Sequence, residues 1–578
     1  MPEYLAPGVF VEETSFTNKS IGGVCTTTTG FVGPTRSGPC NDVPELLTSF
    51  KEFERIYGGL HDLAFTAPAP ATNFVAHAVA AYFSEGGTRL YVARAAATAS
   101  TTAAGSDLSA RAMSRFISRF PGAAGNGRIL IREDPVPTTP ASATELPDGS
   151  FLRVNGIPIT FFVKRSGVWR NSADADATAT ISTVPHTTSM DVLTYTVVTI
   201  DADGRSSSYE ALGLDPQHER FIGNFLTTKP TQRSDQVSQM FAFNVANTVT
   251  PVELRAAFAA LPLDPRDPDG LFRFITLGGG TDVPPTEADY QAPLEHLRGL
   301  EDISIIAAPG HSHVGFGENF NCAVASRLVT HAAQRRSFRF AVLDAPNATT
   351  PSTAVAYKAR IDSKFASLYT PWVVVPNPNF DPNDPRSEAE LVLPPSGFVC
   401  GIYARSDIER GVHKAPANEV VRTALRFESR ISTGEQELLN PMGVNCLRSF
   451  PGRGHRVWGA RTTSSDPEWK YVNVCRYLLY LEQSIDRGTQ WAVFEPNGER
   501  LWANVREAVS SFLFKEWGNG ALLGDKPVQA FFVKCDRSTM TQNDLDDGRL
   551  VCLIGVAVTN PAEFVIFRIA QKTAEVRP

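Results

Sequence analysis

The spacing of apolar residues changes character several times along the chain. Residues 8–13 (GVFVEE) alternate weakly after Pro7, which predicts a strand. A Thr-, Ser- and Gly-rich stretch follows and leads into a second strand, TTTTGFVG. This stretch predicts a flexible arm. An arm of ~20 extended residues spans up to roughly 70 Å, enough to reach another molecule. Helices are predicted at 44–57 and 73–84. In the second, Phe74, Val75, Ala78, Val79, Tyr82 and Phe83 share one stripe. Residues 89–94 predict a strand.

Past residue 100 the pattern becomes two-residue. A helix at 107–119 leads into the β-type runs RILIRE, FLRVNG, PITFFVKR and LTYTVVTID, punctuated by Pro147-Asp148-Gly149, Asn155-Gly156 and Asp203-Gly204. This predicts a β-rich insertion at about 125–245. From 271 short continuous apolar runs alternate with helical stripes. Strands are predicted at LFRFITL, 303–308, 338–343, 372–375 and 398–403, and helices at 286–299, 319–335 and 353–368. Such alternation predicts a mostly parallel sheet covered by helices on both faces. A proline-rich loop fills 376–396. Beyond 416 the pattern is α+β, with helices at 468–485 and 498–517 and strands at 530–535, 551–558 and 563–569.

The chain therefore divides into an N-terminal strand and flexible arm (1–30), the start of an α/β core (31–106), an inserted β-rich outer domain (107–245), the α/β core (246–415), an α+β part (416–562) and a C-terminal strand arm (563–578). At 578 residues, two to four domains are expected. Hydrophobic residues make up 42% and charged ones 20%, which marks a globular chain. The formal charge of −7 argues against a duplex-DNA binder, whose footprint is a basic face. None of the eight cysteines forms a C-x-x-C, so buried free thiols are expected and no metal site. MPEYLAPGVFVEE lacks the basic and apolar segments of a secretory signal, and no run of 18 apolar residues occurs. The expectation is a chain made in a reducing compartment, without membrane insertion, that leaves the cell by lysis or in a released particle.

Some residues invite a catalytic reading. GHSH at 310–313 follows one strand, Asp344 ends another, and Ser396 lies in PPSGF. The chain has neither a G-x-S-x-G elbow nor a G-T-S-M-A type turn, so these are read as loop residues. Gly278–Gly280 and Gly86-Gly87 lack the Lys-Ser/Thr of a phosphate loop and are read as tight turns. FPGRGHRVWGARTT, with Arg448, Arg453, Arg456 and Arg461 around it, could bind an anion or nucleic acid, or pair with carboxylates inside the fold or across subunits. The second is the reading adopted. The two terminal strands are aggregation hazards in a monomer, unless they close sheets within their own chain or add to sheets of neighbouring copies.

One stretch is far more specific than these motifs. Asn440-Pro441, Gly443, Asn445, Phe450–Gly454, Val457–Thr462, Ser464–Trp469 and Tyr471–Val474, followed by Gly488–Trp491 and Phe494–Asn497, resemble the tail sheath proteins of contractile phages and related injection systems. Residues 4–13, 30–59, 289–309, 337–347 and 394–420 resemble the same family, while 125–245 matches poorly. The resemblance implies a subtilisin-like core with no triad, no cofactor and no enzymatic activity. It implies a structural homopolymer of stacked rings with six copies each, partnered by an inner tube, a baseplate and a terminal cap, without direct nucleic-acid contact. Assembly would occur in the bacterial cytoplasm, as part of a virion tail or phage-tail-like particle. Val9, Phe10, Val11 and Glu12, and Phe564, Val565, Ile566, Phe567 and Arg568, become candidate inter-subunit strands. Arg506 and Lys515 become candidate contacts to acidic residues of the tube. The alternative is a surface or secreted α/β hydrolase-like protein or adhesin.

Overall fold

The structure, a computed structural model, describes residues 20–65, 71–108, 114–156, 158–171, 189–245, 249–385, 387–564 and 566. The chain forms two compact units. The larger comprises 27–405 and 417–465; the smaller comprises the residues up to 26, 406–416 and those from 466.

The larger unit is built on a nine-stranded sheet. Six neighbouring strands run parallel, in the order Val444–Phe450, Ala366–Thr370, Phe340–Asp344, Ile305–Ala307, Thr29–Gly33 and Leu90–Arg94. Strands such as Thr29–Gly33 and Phe340–Asp344 are buried along their whole length, as parallel strands covered on both faces must be. On one face Leu294, Leu297, Val324, Leu328, Tyr357 and Leu439 from four helices close the core. On the other, Tyr82 of helix Phe74–Ser84 meets Phe31 edge-on at 5.8 Å, and the Tyr403 and Tyr369 hydroxyls meet at 2.6 Å.

Several predicted elements are corrected. FVCGIY is not a strand but part of the helix Pro395–Arg410. Phe398, Val399, Cys400, Ile402 and Tyr403 are all buried, so the run carries no polar face from which a helix could be read. The helix predicted at 353–368 ends at Lys358, and ASLYT (Ala366–Thr370) is a central strand. Val373–Pro376 leaves the parallel sheet and pairs antiparallel with Glu390–Leu393 and Arg426–Phe427. The helix predicted from 44 begins at Phe50, where the Ser49 side chain caps it, and Leu46–Leu47 pairs with Leu90–Arg94 instead. Within 107–119, Arg115–Ser118 is a strand paired with Phe241–Asn244, and 109–113 lie outside the described residues.

The inserted region is a seven-stranded antiparallel sheet led by the long pair Arg128–Thr138 and Met190–Ile200. One edge strand is Arg273–Thr276, with Ile275 opposite Ile129, so LFRFITL belongs here and not to the parallel sheet. Its core draws on Leu254 and Phe258 of helix Pro251–Ala260 as well, which moves the insertion's far boundary well past 245. Entry and exit lie side by side: Ala104 and Gly278 exchange both backbone hydrogen bonds, at 2.9 and 3.0 Å.

The smaller unit packs helix Val472–Gly488 against helix Glu499–Gly518 and a two-stranded sheet, Phe531–Lys534 with Leu553–Val556. Tyr477, Leu481, Leu501, Trp502, Val505, Val509, Phe512, Leu513 and Cys535 form its core. The boundary expected at 416 is corrected to 466, because Leu368 pairs with Val444 and so ties 444–457 into the parallel sheet.

Candidate functional site

The catalytic-looking residues come together only in part. Asp344, at the carboxyl end of its strand, accepts hydrogen bonds from the Ser396 amide and hydroxyl, both at 2.6 Å. Complete burial pushes its carboxyl up to about 7, although the Ser396 bonds pull the other way. His311 is buried and turns Nδ1 to the Ala308 carbonyl at 2.7 Å, and burial depresses it to about 4. No hydrogen bond among the described residues links His311 to Ser396 or Asp344. Gly278–Gly280 is a turn, with Gly279 at φ +83°. Among the described residues no cluster of His, Cys, Asp and Glu could hold a metal ion. No described helix is long and apolar enough to cross a membrane. All eight cysteines are described, and none is in a disulfide.

The stretch FPGRGHRV forms a hairpin, Val444–Phe450 with Gly454–Val457, whose tip needs Gly452 and Gly454 at φ +72° and +74°. Among the described residues, Arg448, Arg453 and Arg456 do not pair with a carboxylate inside the fold. Arg448 donates to Gln436 Oε1 at 2.7 Å and Thr433 Oγ1 at 3.2 Å, and Arg456 donates to the Arg453 and Asn418 carbonyls. The Arg453 guanidinium lies over Phe450 and Trp458, 4.4 and 5.4 Å from the ring centroids.

In the smaller unit the features bearing on assembly gather around helix Val472–Gly488. Residues 21–26 are strapped along it in an extended line. Ile21 packs in the core against Gly488, the Val24 amide donates to Ser484 Oγ at 3.1 Å, and Arg476 donates to the Thr26 carbonyl at 3.1 Å. Gly23 passes the Tyr480 hydroxyl so closely that a Cβ there would lie 2.2 Å away. Five extended steps and twelve helical residues both cover ~17–18 Å, which is why the two run in register. The arm expected over 1–30 is thus fixed from 21 onward. At the opposite end of the helix, Glu563 accepts from the Tyr471 hydroxyl at 3.2 Å and pairs with Lys470 at 3.6 Å. The described ends of the chain therefore leave the body from opposite ends of one helix.

Beside it stands the two-stranded sheet, with a full antiparallel register from Phe531–Val556 to Lys534–Leu553. Among the described residues neither strand has a second ladder partner, and Phe532, Leu553 and Ile554 are exposed. Among the described residues, nearly half of the exposed large apolar side chains fall in this smaller unit. Val9, Phe10, Val11, Glu12, Val565, Phe567 and Arg568 lie outside the described residues. Phe564 and Ile566 are described, exposed and in no strand.

Helix Glu499–Gly518 turns Leu501, Trp502, Val505, Val509, Phe512 and Leu513 inward. Arg506 and Lys515 are both exposed, but nine residues place them about 180° apart, on the two flanks of the outer face. Bonds from Ser538 hold the nearby Asp536 carboxyl below its ordinary range, and the Arg506 charge adds to this. The middle of the outer face carries Phe514, exposed and 5.6 Å from the Trp517 ring, which sequence reasoning missed. Phe494 was missed too: it stands fully exposed at φ +66°. Its place in the motif GTQWAVFEPN was the available signal.

Comparison with known proteins bears directly on this architecture. Residues 284–463 match the model of the phage tail sheath protein central domain, and 464–572 match that of the phage tail sheath C-terminal domain, which meet close to the boundary between the two units. A prophage major tail sheath protein of Pseudomonas aeruginosa (strain UCBPP-PA14) is 28% identical over 271 residues, 46% of this chain and 64% of that protein. The tail sheath protein of Burkholderia phage BcepMu is 27% identical over 236 residues, 39% of this chain and 47% of that protein. The chain thus spans less than two thirds of the length of each of these curated relatives. The helical sheath of the anti-feeding prophage in its contracted state shares the fold, with a TM-score of 0.52 and 20% identity over 99% of this chain and all of that one. The two family models together cover 284–572, and the chain belongs to the phage tail sheath protein family.

Proposed function

We propose that this chain is the structural subunit of a contractile tail sheath. Copies stack as rings of six around an inner tube, between a baseplate and a terminal cap, and contraction drives the tube through a target envelope. The observation that carries this reading is the smaller unit: an open-edged sheet with exposed Phe532 and Leu553, beside a helix that anchors both described ends of the chain. A β-type run beyond each anchor, GVFVEE and EFVIFRI, supplies the strands to complete such a sheet in a neighbouring copy through backbone hydrogen bonds.

In this reading Val9–Glu12 and Phe564–Arg568 are the exchanged strands. The outer face of helix Glu499–Gly518, with Phe514 between Arg506 and Lys515, lies against the tube. The helix-covered parallel sheet serves as a subtilisin-like frame without catalysis, and the inserted sheet lies on the outside. Head-to-tail contacts that do not close on themselves extend into a helix. The chain assembles in the bacterial cytoplasm and is carried in a virion tail or a tail-like particle.

The test is deletion of residues 1–13 in the full chain. Wild-type protein is expected to form striated tubes in negative-stain electron microscopy. The deletion variant is expected to stay folded and soluble by circular dichroism and sedimentation, and to form none. Normal tubes from the deletion variant overturn the strand-exchange reading, and a wild type that never polymerises overturns the sheath reading.

A further inference from the structure

From Leu438 to Ser465 the chain has no Asp or Glu, yet it carries Arg448, Arg453, Arg456 and Arg461. Removing this +4 from the whole chain's −7 leaves −11 on the rest. The stretch that forms the hairpin is thus basic within a chain that is acidic on balance. Three enclosed guanidiniums elsewhere meet carboxylates, Arg94 with Asp282, Arg405 with Glu85 and Arg476 with Asp407, while the buried Arg339 is held by the Leu297 and Leu300 carbonyls and His331. Arg448, Arg453 and Arg456 have no carboxylate partner among the described residues, and their bonds go to a hydroxyl, amide and carbonyl oxygens and to aromatic faces.

Arg453 is held in a particular way. Phe450 and Trp458 pack against each other with centroids 4.5 Å apart, and the guanidinium lies over both. Stacking fixes the plane of the fork and leaves its N–H edge pointing outward from an exposed tip. A pre-positioned fork loses little entropy when it meets a carboxylate, and a planar edge suits two-point contact.

We infer that the hairpin tip, Phe450–Gly454 with Arg448 and Arg453, is a docking surface for carboxylates on a second copy of this chain. Charge complementarity selects that occupant, because the rest of the molecule is on balance acidic. It also limits the symmetry of the contact. Two such hairpins repel, so a two-fold contact of tip on tip is excluded, and the tip must meet a different surface of its neighbour. Made in one direction only, such a contact is head-to-tail and either closes into a ring or propagates as a helix. This inference deepens the assembly reading and rests on it.

The test uses the full chain. Arg453→Lys protein is prepared with natural and with nitrogen-15 isotope labels, mixed under assembly conditions and treated with a zero-length carbodiimide. Mass spectrometry is expected to find an amide between position 453 of one isotopic form and an Asp or Glu of the other. In parallel, Arg448→Glu/Arg453→Glu protein, its fold checked by thermal unfolding, is expected to need about tenfold more protein to polymerise. The wild type's polymerisation is expected to weaken between about 50 and about 500 mM NaCl as screening grows. Absence of mixed-isotope crosslinks, together with double-variant assembly at the wild-type concentration, overturns the inference while leaving the sheath reading intact. A double variant that assembles normally but loses retention of labelled DNA overturns it in favour of nucleic acid. A wild type that does not polymerise overturns the sheath reading first.

Discussion

Arg476 and Asp407 face each other as a buried two-pronged ion pair, Nη1 to Oδ1 at 2.9 Å and Nη2 to Oδ2 at 2.6 Å. The same carboxylate accepts from the Thr26 hydroxyl at 2.7 Å, and the same guanidinium donates to the Thr26 carbonyl. Removing one partner strands a buried charge, which costs about 3–5 kcal/mol. Asp407→Ala is therefore expected to lower the unfolding free energy by that amount in denaturant titrations. Hydrogen exchange at the Val24 amide should rise with it, because the strap of 21–26 loses its upper fastening. Unchanged exchange at Val24 would show that Ile21 and Ser484 hold the strap alone.

Excision distinguishes the observed insertion from the one predicted. Ala104 and Gly278 are a directly opposed antiparallel pair, the spacing a two-residue turn closes. Replacing 105–277 with Asn-Gly is expected to leave a soluble chain that keeps the helices outside the excised segment. Replacing only 107–245 orphans strand Arg273–Thr276 and uncovers Leu254 and Phe258, and is expected to give aggregated protein. Size-exclusion chromatography of the two deletions separates these outcomes.

Stability is expected to depend on pH through Asp344. Its folded carboxyl is raised to about 7 from an unfolded value near 4, so the folded state binds the extra proton between these values. The favourable contribution is complete below about pH 4 and is lost as pH rises through 7, a change of a few kcal/mol. An asparagine side chain at this position would keep an acceptor for the Ser396 amide without ever ionising. Asp344→Asn should flatten this part of the Tm profile between pH 5 and pH 8; an Asp344→Asn profile as steep as the wild type's would assign the dependence elsewhere.

Two glycines set the approach of helix Pro395–Arg410 to helix Phe74–Ser84. A Cβ on Gly397 would lie 2.6 Å from the Ala78 Cα, and one on Gly401 would lie 2.6 Å from the Tyr82 carbonyl oxygen. Backbone atoms cannot swing aside, so Gly397→Ala and Gly401→Ala should each destabilise by about 1–3 kcal/mol. Gly434, in helix Thr433–Leu439, has nothing within 4 Å, and Gly434→Ala should stabilise by up to about 1 kcal/mol. Denaturant midpoints of the three variants check both signs.

Helix Glu499–Gly518, with one wet and one dry face, lies where periodicity puts it. Strands Leu90–Arg94 and Phe340–Asp344 and helix Phe74–Ser84 also lie where they were read, although the strands are buried at every position and the helix at most. Other segments buried on every side were misassigned, because a continuous apolar run has no phase. FVCGIY and ASLYT exchanged roles for that reason. At the candidate site, the exposed sheet could be read as two strands, but not as lacking further neighbours. The strap at 21–26 was illegible, since a Gly- and Thr-rich stretch is made extended here by Arg476 and Ser484, some 450 residues away in sequence. Phe514 was hidden by its own type: nothing in the local pattern separates an outward phenylalanine from an inward one.

Helix Val472–Gly488, fastened to Ile21 at one end and to Glu563 at the other, has a mechanical consequence. Its 17 residues make a rod of ~25 Å whose hydrogen bonds lie along its axis. A pull on one terminus reaches the other along that rod, bypassing the softer loops and the exposed sheet. The strap runs antiparallel to the helix, so its fastenings are loaded in shear and share the force. In a lattice of linked termini each subunit would then act as a tie-rod of fixed length, and neighbours could turn about their joints without the spacing between joints changing.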